Sequence, residues 1–83
     1  MSQTQQIELF SVFQTFKNGE QEQVREHVSA EEAVKAAQHY TTSVAARMGI
    51  TTQVIIVDMM DLTVFEWKFG EGVVFPKPEE TPK

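Results

Sequence analysis

Trp67 lies in the stretch LTVFEWKFGEGVVFP with Phe65 and Phe69 two residues to either side. Alternate residues of a strand share a face, so a strand here would present the three rings together. With Phe10 added from elsewhere in the chain, such rings could form the stacking platform that single-strand nucleic-acid binders place on an open sheet. Two observations weigh against that use. The flanking charge is mostly acidic, and KFGEGVVF only approximates the basic–Gly–aromatic segment of the commonest such module. Aromatic side chains are also enriched in cores and subunit interfaces, and that is the reading carried forward.

The remaining chemical groups are sparse. Asp58 and Asp61 could approach a hard cation, but two carboxylates fall short of the six or more oxygens calcium takes, and the spacing suits a turn. His27 could titrate at an interface; on the expected strand pairing it stands opposite Phe10 near Arg25, as a solvated strand residue. His39 falls on the outer face of a helix beside Lys35, Ser43 and Arg47. There is no cysteine, and Ser11 lies mid-strand with no histidine or carboxylate at a suggestive spacing. The four glycines, Gly19, Gly49, Gly70 and Gly72, are each explained by a turn or a cap, which leaves no phosphate-cradling loop. No catalytic residue, metal site or cofactor is assigned.

At 83 residues the chain is one small domain, and 41 % hydrophobic content is that of a folding sequence. Twelve acidic against seven basic residues repel a phosphate backbone at long range, and the basic residues are scattered, so nucleic acid is a disfavoured partner. MSQTQQIE resembles no signal sequence, and Val54 to Val57 is far too short to span a bilayer. Together with the lack of cysteine this predicts a cytoplasmic protein with no membrane partner.

The elements that must position these groups follow from the pattern. Residues 1–6 and 76–83 have the composition of disordered ends, leaving a single domain over 7–75. Ile7–Phe16 and Gln21–Val28 predict a hairpin about a two-residue Asn18-Gly19 turn, which would pair Phe16 with Gln21, Phe13 with Val24 and Leu9 with Val28. SAEE at Ser29 predicts a helix start, and apolar residues at helical spacing (Ala30, Ala33, Val34, Ala37, Thr41, Val44, Ala45, Met48) predict one helix running to Gly49. Thr52–Val57 and Leu62–Phe69 form a second hairpin, and Val73–Phe75 a possible fifth strand before Pro76. The fold class is therefore α+β, ββαββ(β), with one helix on a four- to five-stranded antiparallel sheet. The second strand is the most polar and belongs at an edge, giving the order 2-1-3-4.

One helix about 10 Å wide covers one face of such a sheet and leaves the other open. Phe10, Val12 and Phe16, joined by Phe65, Trp67 and Phe69, are expected on the open face, where a second copy would cover them as a homodimer. An alanine stripe implies that helix and sheet lie too close for a ligand pocket. The function expected is a small non-enzymatic homodimeric protein-interaction module, with an acidic rim of Glu20, Glu22, Glu26, Glu31 and Glu32 for a basic protein partner. The alternatives are a single-stranded nucleic-acid binder using the aromatic set, and a nucleic-acid mimic that inhibits a basic enzyme.

Overall fold

The computed structural model describes residues 8–77. Its elements are β1 (Phe10–Phe16), β2 (Gln21–Val28), α1 (Ala30–Thr41), α2 (Val44–Arg47), β3 (Thr51–Val57), β4 (Thr63–Lys68) and β5 (Gly72–Phe75). They form one sheet in the order β2-β1-β3-β4-β5, antiparallel at every pairing, with the helix packed against it. This is the α+β architecture and strand order expected, with the fifth strand present outside β4. The expected disorder of residues 1–6, a strand start at Ile7, and the tail from residue 78 onward lie outside the described residues.

The first hairpin turns differently from the expectation. The Gly19 N–H donates to the Phe16 carbonyl and the Phe16 N–H to the Glu20 carbonyl, both at 2.8 Å, which closes a three-residue loop with Gly19 at φ +92°. This is a type I turn finished by a left-handed glycine, in place of the two-residue turn in which Asn18 would also need positive φ. The Asn18 side chain instead accepts from the Glu20 N–H at 2.9 Å. One extra loop residue shifts the register by one: Thr15 faces Gln21 and Phe13 faces Gln23.

Two register shifts follow, so that Val12 faces Arg25 and Phe10 faces Val28. Each is an extra residue on β2, and the second carries His27 at φ +50° with its N–H donating to the Ser11 hydroxyl at 3.2 Å. His27 is therefore drawn to Ser11, not to Phe10. The three-residue loop sets Val24 on the side of Val12, and the two bulges together preserve that alternation, so Val24 and Val28 pack against the same core as Phe10 and Val12.

The helix starts where SAEE placed it, with the Ser29 hydroxyl accepting from the Glu32 N–H at 3.1 Å. It does not run to Gly49. Thr42 and Thr41 both turn their hydroxyls onto the Gln38 carbonyl, and Ser43 caps a new four-residue helix by accepting from the Ala46 N–H at 3.1 Å. A run of three hydroxyl residues offers the backbone local partners that compete with helix continuation.

The buried stripe is Ala33, Ala36 and Ala37, with Ala46 from α2, while Val34, Val44 and Met48 are exposed. These alanines fill little volume, so the sheet must supply the bulk beneath them. Val12, Val54 and Ile56 are buried against the stripe, with Phe10, Phe65 and Trp67 partly buried around them. The aromatic face of the second hairpin therefore turns toward the helix, and the two sheet faces are exchanged relative to the sequence expectation.

Candidate interaction surfaces

The face of the sheet that the helix does not cover is assembled by cross-strand register. Phe13, Ile55, Glu66 and Phe75 form one row across β1, β3, β4 and β5. Ser11, Val57 and Thr63 form the row on one side of it, and Thr15, Gln53, Lys68 and Gly72 the row on the other. Phe13, Ile55 and Val57 are partly buried by their neighbours, and Phe75 is 47 % exposed. The polar row is already paired within the chain. Thr15 donates to Gln53 Oε1 at 3.3 Å, Gln53 Nε2 donates to the Glu66 carboxylate, and Lys68 Nζ stands 3.9 Å from the same carboxylate.

A second surface is a groove of about 410 Å³ between the first half of α1 and one end of the sheet. Ala33 and Val34 line it from the helix, and Phe10, Ile56, Val64 and Phe65 from the sheet. Glu8 and Asp58 are the acidic residues of its lining. The alanine stripe was expected to exclude such a space; its small side chains leave one where the strands reach toward Ala30. Asp58 also builds the adjoining turn, where its Oδ1 accepts from the Met60 and Leu62 N–H groups at 2.8 and 2.9 Å. Its own N–H donates to the Leu62 carbonyl at 2.9 Å, and Asp61 occupies the left-handed position at φ +64°. Met59, Met60 and Leu62 are held outward, 55 %, 76 % and 62 % exposed.

The residues singled out from the sequence are dispersed. Val12 is fully buried, and Phe10, Phe65 and Trp67 pack against the core on the helix side, so they are not on the uncovered face. Phe16 pairs with the buried Thr51 and borders a depression with Lys17, Asn18 and Ile50. Phe69 continues the aromatic side and lays its ring on Gly49. In their place the uncovered face carries Phe13, Ile55, Val57 and Phe75; a three-residue loop in the first hairpin, which sets Val24 beside Val12, is the signal that Phe13 points away from the core.

The acidic rim divides between the two ends of the sheet. Glu20 and Glu22 lie near the first turn, where Glu22 accepts from Gln14 Nε2 at 2.8 Å. Glu26, Glu31 and Glu32 gather where β2 passes into α1, the end that also carries Glu8, Asp58 and Asp61. Lys17, Arg47 and Lys68 lie toward the opposite end, and Lys77 follows β5 at the acidic one. Arg25, Lys35 and His39 interleave with Glu32 along the flank of the helix, where the His39 ring meets Tyr40 edge-on with centroids 4.7 Å apart. The Glu26 carboxylate lies 3.9 Å from His27 Nδ1.

Among the described residues no group of three or more His, Cys, Asp or Glu side chains could share a metal ion, and no helix is long and apolar enough to cross a membrane. The chain matches no protein-family model, no curated protein and no solved structure.

Proposed function

We propose that this protein is a small non-enzymatic interaction module that pairs with a second copy through the uncovered sheet face. The observation that carries this reading is the row of Phe13, Ile55 and Phe75, with Val57 beside it, on the side opposite the helix. Two such faces stacked back to back form a sandwich of four layers with the helices outermost. Gln53 already has its amide oxygen and one amide N–H engaged within the chain, which lowers the cost of covering the polar row, while Glu66 and Lys68 enter the interface as an ion pair.

The magnitude sets how tight the pair can be. Five strands at about 4.8 Å spacing and about 20 Å in length present roughly 400 Å² of projected face. If roughly half is apolar, two faces gain about 10 kcal/mol at ~25 cal/mol/Å², against an association cost of about 4–15 kcal/mol. The net is at most about 6 kcal/mol, a Kd of tens of micromolar or weaker. Such an interface belongs with weak, exchangeable assemblies, which suits a module that also meets other partners.

Sedimentation equilibrium from about 10 µM to 1 mM, a range chosen to bracket that Kd, tests the reading. The expected mass rises from the 9.4 kDa of one chain toward twice that value. Phe75→Glu, at a position 47 % exposed in the single chain, is expected to hold the mass at one chain throughout. A wild-type protein that stays monomeric across the range overturns the pairing.

A further inference from the structure

We propose that the groove beside α1 is a docking site for an apolar segment of another protein that carries lysine or arginine. Its walls are Phe10, Ala33, Ile56, Val64 and Phe65, and the acidic residues that border it are Glu8 and Asp58. About 410 Å³ lies within the range in which proteins seat side chains or ligands. Val34, 49 % exposed, lines the groove on the helix side. The turn leading from Asp58 to Val64 extends the apolar surface with Met59, Met60 and Leu62.

A small ligand would have no use for those turn residues, whereas a peptide segment spans both the groove and its surroundings. The outward side chains are held by the two N–H bonds to Asp58 Oδ1, so their exposure is built into the hairpin. Methionine is unbranched and polarizable and adapts to partners of varied shape. The charge of the occupant follows from the placement of acids. Glu8, Asp58 and Asp61 lie at this end with Glu26, Glu31 and Glu32, alongside Lys77, while at the other end Lys17, Arg47 and Lys68 are matched by Glu20, Glu22 and Glu71. An apolar segment with basic residues beside its anchors is therefore favoured over a neutral or acidic one. An amphipathic helix laid into a groove is the binding mode such a surface fits.

This site rests on the reading of the protein as an interaction module but not on its pairing, since groove and pairing face lie on opposite sides of the sheet. The test uses the full chain and synthetic peptides with blocked ends, followed by methyl NMR. One peptide carries leucines at helical spacing with lysines between them, a second replaces the lysines by glutamates, and a third replaces the leucines by serines.

The leucine–lysine peptide is expected to shift the Ala30, Ala33 and Val64 methyls in a saturable way, with the other two weaker by about tenfold or more. Val34→Glu is expected to weaken binding by a similar factor, whereas Val44→Glu, at an exposed position on α2, leaves it unchanged. Glu8→Gln with Asp58→Asn, which keeps a side-chain oxygen for the turn, is expected to weaken it severalfold and flatten its salt dependence. The proposal is overturned if the glutamate peptide binds equally well, if the shifts gather on Ile55 and Val57, or if Val34→Glu behaves like Val44→Glu. A monomer that binds the peptide keeps this site and removes the pairing; a dimer that ignores it does the reverse.

Discussion

The ring of Phe69 lies directly on Gly49: a methyl group at the glycine α-carbon would stand 3.2 Å from both Cε2 and Cζ of the ring. Gly49 also has φ +78°, so two independent constraints select glycine where α2 gives way to β3. Gly49→Ala is expected to cost about 1–3 kcal/mol, combining left-handed backbone strain with displacement of the ring. For a domain of this size that lowers Tm by roughly 5–15 °C. Phe69→Leu in the same chain separates the causes, because it removes the steric part and leaves the backbone part. Additive losses for the two substitutions in thermal melts would show that ring and glycine are energetically independent.

Thr51 and Gln14 form a buried polar pair under the helix. The Thr51 hydroxyl, with no solvent exposure, donates to Gln14 Oε1 at 3.0 Å, and Gln14 Nε2 passes the chain on to Glu22. Thr51→Val keeps the shape and leaves a buried carbonyl oxygen without its donor, at an expected cost of about 1–3 kcal/mol. Urea denaturation of Thr51→Val, Gln14→Met and the double variant should show the double costing less than the two singles together. Strict additivity would mean that the pair contributes no coupling.

Asp61 is a non-glycine residue with left-handed backbone in the β3–β4 turn. Asp58 supplies the hydrogen bonds that shape this turn, and among the bonds of Asp61 is its N–H to the Asp58 carbonyl at 3.0 Å. Asp61→Gly removes the strain of that conformation at the expense of a more flexible unfolded chain. It is expected to raise stability by up to about 1 kcal/mol in chemical denaturation. A loss of similar size would show that the aspartate side chain contributes something the backbone geometry does not reveal.

Strand order was legible because the polarity of QEQVREHV confines it to an edge, and the start of α1 because a serine stands three residues before a glutamate. The faces were not legible, for a reason rooted in counting. Asn18-Gly19 is compatible with loops of two or three residues, and one added residue moves every later β2 side chain across the sheet. That shift sets Val24 on the side of Val12, and the two one-residue bulges cancel in alternation, so Val28 meets Phe10 on the core side as well. On the helix, Ala33, Ala36 and Ala37 already mark the stripe at i, i+3 and i+4. Giving weight to the larger Val34 and Val44 rotated it. The volume that alanines leave unfilled was the signal that Phe65 and Trp67 belong beneath them, and that Val34 and Val64 would line a groove.

The bulges on β2 have a further effect at the margins of the molecule. They interrupt the regular spacing of outward amide groups along a strand already lined with charged and amide side chains, so an incoming strand finds no continuous ladder to extend. At the opposite margin β5 is only four residues long and runs into Pro76, which has no N–H to offer. Growth by strand addition is blocked in both directions. Self-association through the uncovered face, which is the same patch on both copies, then closes at two, and the expected product at high concentration is a dimer and not a fibre.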